Sequence, residues 1–446
     1  MSQTDSQSKR DQVSQAGVDT AASGSVTPSR WNEYVASFRL FTAEARLFLL
    51  IIFLIGINFE VIQLLLNLYL KERGLLEGQI GTIHAARAVG MALIAIPGAL
   101  LIQRHSTKPV VMAGCLGFGL FSAGLLTDAP FVLLAVTSLC AGMSYGLFRV
   151  SQSPFFMRHS TEVERGHLFS SGFASIVFAG ALGSLGAGKL VQFVTTQFGD
   201  SVVAYRLVLG IAIFTGLIGL IPASFLPRKD SLVVERRELL ASARRFWERK
   251  RQYGRVLFSN MLVGFGAGLI IPFLNLYLRD QLHLSTPVIG MLYSALSFSM
   301  VVGTLTMPLF TKRFGLVGGI TVVQSISIPF MLTLAITVIP WLAIPAFLMR
   351  GTFMNMGVPG QHQFAMESSR DEDRQFMNAV LILTLTATWA VASQIGGILI
   401  EHFGYTIPII ASAVLYSVSS ILFYSWFHRG KSDDGLKYIA GKIAHV

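Results

Sequence analysis

The pentapeptide Leu66-Asn67-Leu68-Tyr69-Leu70 returns in the second half of the chain as Leu274-Asn275-Leu276-Tyr277-Leu278. Further matches follow at nearly the same offset. Gly81 answers to Gly290, and Gly188 with Leu190 answers to Gly397 with Leu399. Phe155-x-Met157-x-x-Ser160, trailed by Glu164-Arg165, answers to Phe364-x-Met366-x-x-Ser369, trailed by Asp373-Arg374. Both copies run in the same direction through strongly apolar sequence. Such a repeat leaves few folds open: the copies pack about an axis along the membrane normal, as in carriers that rock around a central site.

Apolar residues make up 52% of the chain and charged residues 13%. Twelve runs are long enough to cross about 30 Å of hydrocarbon as helices. They are 47–70, 79–103, 109–127, 131–157, 168–193, 203–227, 255–278, 287–311, 316–338, 341–366, 376–400 and 406–427. Six per copy matches the duplication. The chain therefore reads as an all-α integral membrane protein with twelve transmembrane helices in two parallel six-helix repeats. The bundles are 44–227 and 255–427, joined by a basic linker, 228–254. Residues 1–43 read as a disordered polar tail ending in an interfacial segment (Trp31, Tyr34, Phe38 and Phe41), and 428–446 as a second tail.

The formal charge of +11 would suit a nucleic-acid partner, but its placement argues otherwise. Arg87, Arg149 and Arg350 fall inside spans, and Lys71, Arg73, Lys189, Arg206 and Arg279 on one side. The rest of the 35 Lys and Arg residues fall on the other side. Translocation disfavours Lys and Arg in short loops, so that richer side, with both termini and the linker, is expected to be cytoplasmic. Cys115 and Cys140 lie in separate spans and imply no disulfide framework. The sequence carries no Cys/His metal spacing, no phosphate-binding Gly loop and no nucleophile elbow. No metal or cofactor is expected, an enzyme is disfavoured, and driving energy must come from a gradient.

At this point the residues resemble the major facilitator superfamily of secondary transporters, over about 47–427. That family's signature between helices 2 and 3, Gly-x-x-x-Asp-x-x-Gly-Arg-Lys, survives as Gly98-Ala99-Leu100-Leu101-Ile102-Gln103-Arg104-His105-Ser106-Thr107-Lys108. Ile102 replaces the acid and His105 the second Gly. The second copy, Pro308 to Gly315, keeps an Arg-x-Gly end and also lacks the Asp. The resemblance implies alternating access, usually by a monomer, and a cytoplasmic gate. The candidates for that gate are Gly98, Arg104, Glu164, Arg165, Lys312, Arg313, Asp373 and Arg374. The proton-coupled drug-pump motifs do not carry over. Ser138 stands where helix 4 of those pumps has Arg, and the helix 5 motif is reduced to Gly172, Gly180, Gly183, Gly186 and Gly188, which read as packing positions. The loops after helices 4 and 10 resemble bacterial members associated with small-molecule efflux.

Ionisable groups inside spans cost about 2.5–3.5 kcal/mol each on insertion scales, so each needs a partner or a function. Glu60, His84, Arg87, Arg149 and Arg350 are the ones present. By helical rise Glu60 and Arg87 reach the same level, about 15 Å deep in helices 1 and 2, so a pair is geometrically open to them. Glu60, Gln63 and Asn67 share one stripe, and His84 and Arg87 another. Glu60, Arg87 and His84 are the proton-coupling candidates. Gln63, Asn67, Asn275, Arg350, Asn355, Trp389 and Gln394 are the substrate-cavity candidates, with Phe59 and Tyr145 as aromatic companions.

Three functions compete. The first is a plasma-membrane transporter that exports an organic small molecule against protons. The second is uptake of a metabolite or organic anion, which unpaired Arg residues would favour. The third is a transporter-derived sensor or scaffold, kept open by the eroded gate motif. The expected partners are a small-molecule substrate, protons or another coupling ion, and the bilayer. Topology is open to direct test. A cysteine placed at Asp200 should react with an impermeant maleimide in intact cells, whereas one placed at Ser231 should react only after permeabilisation.

Overall fold

The computed structural model describes residues 41–104, 106–227, 248, 250–369 and 373–428. The N-terminal tail with Trp31, Tyr34 and Phe38, His105, nearly all of the linker between 228 and 249, and the tail from 429 lie outside the described residues. Among those described, secondary structure is helical throughout. We number the helices by span: α1 (Ala43–Glu72), α2 (Glu77–Arg104), α3 (Thr107–Gly124), α4 (Phe131–Arg158), α5 (Glu162–Phe198) and α6 (Ser201–Ile218, continued by Leu220–Ser224) in the first half. The second half holds α7a (Lys250–Ile270), α7b (Leu274–Asp280), α8 (286–314), α9 (316–336), α10a (Pro340–Met356), α10b (Val358–Glu367), α11 (Arg374–Phe403) and α12 (Thr406–Phe427).

Each of the twelve expected spans has its helix. Nine helices among the described residues are long and apolar enough to cross a membrane by themselves. One of those, Thr286–Ile336, is 51 residues long and contains two spans. Gly315 separates them at φ 74°, in the left-handed region that an L side chain resists. The spans α3 and α10a are the shorter ones, with 18 and 17 residues.

Three spans depart from straight helices. At Pro272 the chain has no N–H to give to the preceding turn, and a 3-10 turn, Ile271–Phe273, divides α7a from α7b. Gly219 divides α6 and Gly357 divides α10. Large apolar side chains face outward around the bundle, among them Val132, Phe214, Leu305, Leu309 and Trp341. An apolar surface on this scale belongs in lipid.

Within each half the repeated Tyr performs the same service. The Tyr69 hydroxyl donates to the carbonyl of Leu126 at the end of α3, and the Tyr277 hydroxyl donates to that of Leu334 at the end of α9. Both bonds tie the first helix of a bundle to its third.

The halves meet through α2 with α11 and α5 with α8. All four repeated glycines lie in these contacts. A Cβ on Gly81 would stand 2.6 Å from the Ser393 carbonyl oxygen and 3.3 Å from the Cα of Gly397. One on Gly188 would stand 2.9 Å from the Thr286 carbonyl oxygen and 3.2 Å from the Cα of Gly290. Glycine is needed because backbone meets backbone. The two crossings exchange under the repeat, as a pseudo-twofold axis requires. Both lie toward the end that carries the α1–α2 connection, opposite the start of α1 and the finish of α12. We call this the distal end.

Gly186 of α5, which has nothing within 4 Å of an added Cβ, provides the control for a test of this packing. Gly397→Ala should destabilise by about 1–3 kcal/mol through overpacking. Gly186→Ala should be neutral or stabilising by helix propensity. Thermal unfolding of the purified protein in detergent measures both.

Candidate functional site

Asn67 and Asn275 occupy the same place in the two copies, and across the axis each reaches the other's helix. Asn67 Nδ2 donates to the carbonyl of Pro272, exposed by the α7 break, and to Asn275 Oδ1 at 3.1 Å. Asn275 Nδ2 donates to the carbonyl of Leu64 at 2.7 Å. Leu64 and Pro272 each precede their own Asn by three residues, so the exchange is reciprocal. Both amides are fully buried. They were expected to line a substrate cavity. Here they are committed to closing α1 on α7b, because a buried amide must take the partner that helix contact offers.

The chain of bonds continues into α2. Asn67 Oδ1 lies 2.6 Å from His84 Nε2, and His84 Nδ1 lies 2.8 Å from Arg87 Nη2. An amide oxygen only accepts and a guanidinium only donates. The imidazole therefore donates from Nε2 and accepts at Nδ1. Arg87 Nη2 also donates to Gln63 Oε1, and the guanidinium lies 5.9 Å from the Phe59 ring centroid. Arg87 Nη1 is buried without a partner. Tight packing holds α2 in place on α4. The Ser138 hydroxyl donates to the Ile83 carbonyl at 2.7 Å, and a Cβ on Gly142 would fall 2.0 Å from the carbonyl oxygen of Arg87.

The Glu60–Arg87 pair that depth and antiparallel packing left open is not formed. Arg87 has neutral partners in Gln63 and His84, and no described basic group lies within ion-pair distance of Glu60. Equal depth put the two at one level, but Arg87 bonds Gln63, one turn along from Glu60, rather than the carboxylate. Glu60 lies against α5: its Cδ is 3.4 Å from where a Gly180 Cβ would stand, and the Ser297 hydroxyl of α8 is 3.4 Å from that same point. Gly180 leaves the space that the carboxylate uses. Phe59 beside it stacks on Tyr145 with centroids 4.3 Å apart.

Arg350 is buried in the second half, where Nη2 donates to the Tyr416 hydroxyl at 3.1 Å and Nε has no partner. Asn355 donates back to the Gly351 carbonyl on its own helix. Trp389 packs against α7a at Gly268, and Gln394 lies at the Gly81 crossing. The structure thus gathers Gln63, Asn67, His84, Arg87 and Asn275 into one bonded group. Arg350, Asn355, Trp389 and Gln394 stand apart from it.

Further hydrogen bonds join the halves toward the distal end. Beyond the two asparagines, Arg279 pairs with Glu72 at 3.0 Å, Glu401 Oε2 accepts from the Gly78 N–H at 3.0 Å, and Tyr205 bonds Thr286 at 2.7 Å. Sequence reasoning missed Glu72, Arg279, Glu401 and Tyr205 as closure residues. One signal was available, since Lys71-Glu72 and Arg279-Asp280 follow the repeated pentapeptide directly.

The expected gate residues lie at the other end. Glu164 completes a capping box with Thr161 at the start of α5. Tyr253 donates to Asp373, and Arg374 donates to the Met366 carbonyl. Arg313 lies over Phe314, and Lys312 is exposed. Gly98 packs toward Leu147 within its own half. The Arg165 Nε is buried without a partner. The side chain of Arg104 lies outside the described residues.

A model of the Major Facilitator Superfamily matches residues 48–251 and 256–442. No match was found among curated protein sequences. Similar solved structures include a bacterial homologue of the human lysosomal transporter Spinster, inward-facing and occupied. It has 14% identity and a TM-score of 0.70, over 90% of this chain and 97% of that one. The nucleoside transporter NupG matches with 14% identity and a TM-score of 0.67, over 88% and 100%. A D-xylose–proton symporter matches with 15% identity and a TM-score of 0.67, over 88% and 97%.

The two distal layers should differ in strength. Asn275→Ala strands buried donors and acceptors on both helices and should cost about 1–3 kcal/mol. Glu72→Gln removes a partly exposed ion pair and should change stability by less than about 1 kcal/mol. Thermal unfolding at low and high salt separates the two, because only the second effect should shrink with salt.

Proposed function

The chain belongs to the major facilitator superfamily, and on that premise we propose that it exports an organic small molecule by alternating access, driven by protons exchanged at Glu60. The observation that carries the coupling is the position of Glu60. It is an intramembrane carboxylate with no basic partner among the described residues, packed on α5 at Gly180, the glycine that the Ser297 hydroxyl of α8 approaches from the other half. A permanent ion pair would make it structural; the bonds of Arg87 to Gln63 and His84 support the coupling reading over that one. The efflux-like loops after helices 4 and 10 supply the outward direction. The proposal places the protein in the plasma membrane as a monomer, with the distal end outside and both termini in the cytoplasm. The conformation, joined at the distal end, then corresponds to access from the cytoplasm.

A second reading, uptake of an organic anion, draws support from a different observation. Arg87 and Arg350, one in each half, each have a buried N–H without a partner and no carboxylate within reach. Such groups suit a ligand oxyanion. The neighbouring structures are named for a nucleoside in one case and for xylose with a proton in another. Fold alone therefore leaves the cargo to the cavity side chains.

Purified protein in liposomes with an internal pH dye, an imposed proton gradient and a panel of anionic and cationic amphiphiles tests both readings. Substrate-dependent proton movement should disappear in Glu60→Gln while binding persists. Protons moving opposite to the cargo support export; protons moving with an anion support the second reading. Unchanged proton movement in Glu60→Gln would remove Glu60 from the coupling.

A further inference from the structure

The two asparagines at the axis are related by the repeat, but what holds each of them is not. Asn275 Oδ1 takes the N–H of its neighbour Leu276 at 2.9 Å, besides the bond from Asn67. Asn67 Oδ1 is held from another helix, by His84. At the repeat offset of Gly81 and Gly290, His84 corresponds to Tyr293 and Arg87 to Leu296. The second half has no imidazole and no cation at these places. Control of the closure is therefore built into one half only.

We propose that His84 is a positioning residue that couples Arg87, beside Glu60's helix face, to the Asn67–Asn275 closure of the distal end. The chemistry of the ring makes this specific. An imidazole that donates at one edge of a rigid ring and accepts at the other passes orientation from Arg87 to Asn67. His84 fixes Asn67 Oδ1, which turns Nδ2 across the axis toward the Pro272 carbonyl and Asn275. Were the amide free to flip, its oxygen would face those same acceptors and repel them.

Arg87 is placed to respond to an occupant. Its Nη2 holds His84, while its buried Nη1 has no partner and offers a donor to any acceptor oxygen that enters. A ligand that draws the guanidinium away takes Nη2 from Nδ1, and the ring then loses the bond that keeps its other edge on Asn67. Backbone movement is not required, because α2 stays pinned to α4 at Ser138 and Gly142. The ring also has one flank bounded by Phe273, edge-on at 6.1 Å. This Phe sits in the 3-10 turn whose Pro272 carbonyl Asn67 occupies. The relay therefore ends on the break in α7.

The inference rests on the alternating-access reading and is tested without transport. The full chain, with Cys115→Ala and Cys140→Ala, would carry spin labels at Leu76→Cys and Phe403→Cys, two exposed distal sites in opposite halves. Pulsed EPR in liposomes then reads the ratio of closed to open distances. His84→Leu should lower that ratio about fivefold, the worth of one buried hydrogen bond. Arg87→Gln should lower it with His84 present and have no further effect in His84→Leu. His84→Gln, which keeps one donor and one acceptor, should restore most of the closed population.

If His84→Leu does not fold, Arg87→Gln is compared with and without Asn67→Ala, where the relay demands the same loss of effect. Equal effects of Arg87→Gln in both backgrounds would mean independent contacts and would overturn the proposal. The two ideas also fail separately. Proton flux with additive distance changes sinks the relay alone, and coupled distances without proton flux sink the proposed coupling at Glu60 alone.

Discussion

Two asparagines that exchange hydrogen bonds across a pseudo-twofold axis hold the molecule in the conformation described. Each donates to a carbonyl three residues ahead of the other, so one contact serves both copies. A buried amide is costly unless paired. The pair lies at the axis, where α1 of one bundle meets α7b of the other. The glycine crossings at Gly81–Gly397 and Gly188–Gly290 bring the helices close enough for the exchange, and they follow the same symmetry. Further out, Glu72–Arg279 and Glu401–Gly78 form a more solvated lid.

Symmetry stops at the charges. The first half carries Glu60, His84 and Arg87, and the second has Gly268, Tyr293 and Leu296 in the corresponding places. A carrier with identical halves has no reason to respond differently to its cargo and to an ion. Here the acid lies against Gly180 of α5 while the Arg is tied by neutral groups to the closure. Glu60 and Arg87 are not paired in this conformation, and each has its own neighbours.

Periodicity and duplication made the helices legible, and membership of the fold followed from their number and order. The repeated glycines were visible as equivalents, but not which glycine meets which: Gly81 pairs with Gly397 rather than with its own counterpart, Gly290. Depth along a helix was accurate enough to gather Gln63, His84 and Arg87. It could not say which polar group Arg87 would take: a pair with Glu60 was open by depth, and the structure gives Arg87 to Gln63 and His84 instead. The divisions at Gly219 and Gly357 were likewise hidden, because a helix carries glycine without breaking unless its neighbours ask for room.

The sequence by itself determined the twelve spans, the two copies and the small set of polar groups inside them. Hydrocarbon admits backbone only when its bonds are made within the segment, so apolar length reads out as helix. The tertiary structure alone decided which face each helix turns to its neighbour. That choice left Glu60 without a basic partner, gave Arg87 to His84, and set the two asparagines against each other's backbone. Such pairings depend on helix rotation and crossing, quantities that belong to the packed bundle and to no single stretch of sequence.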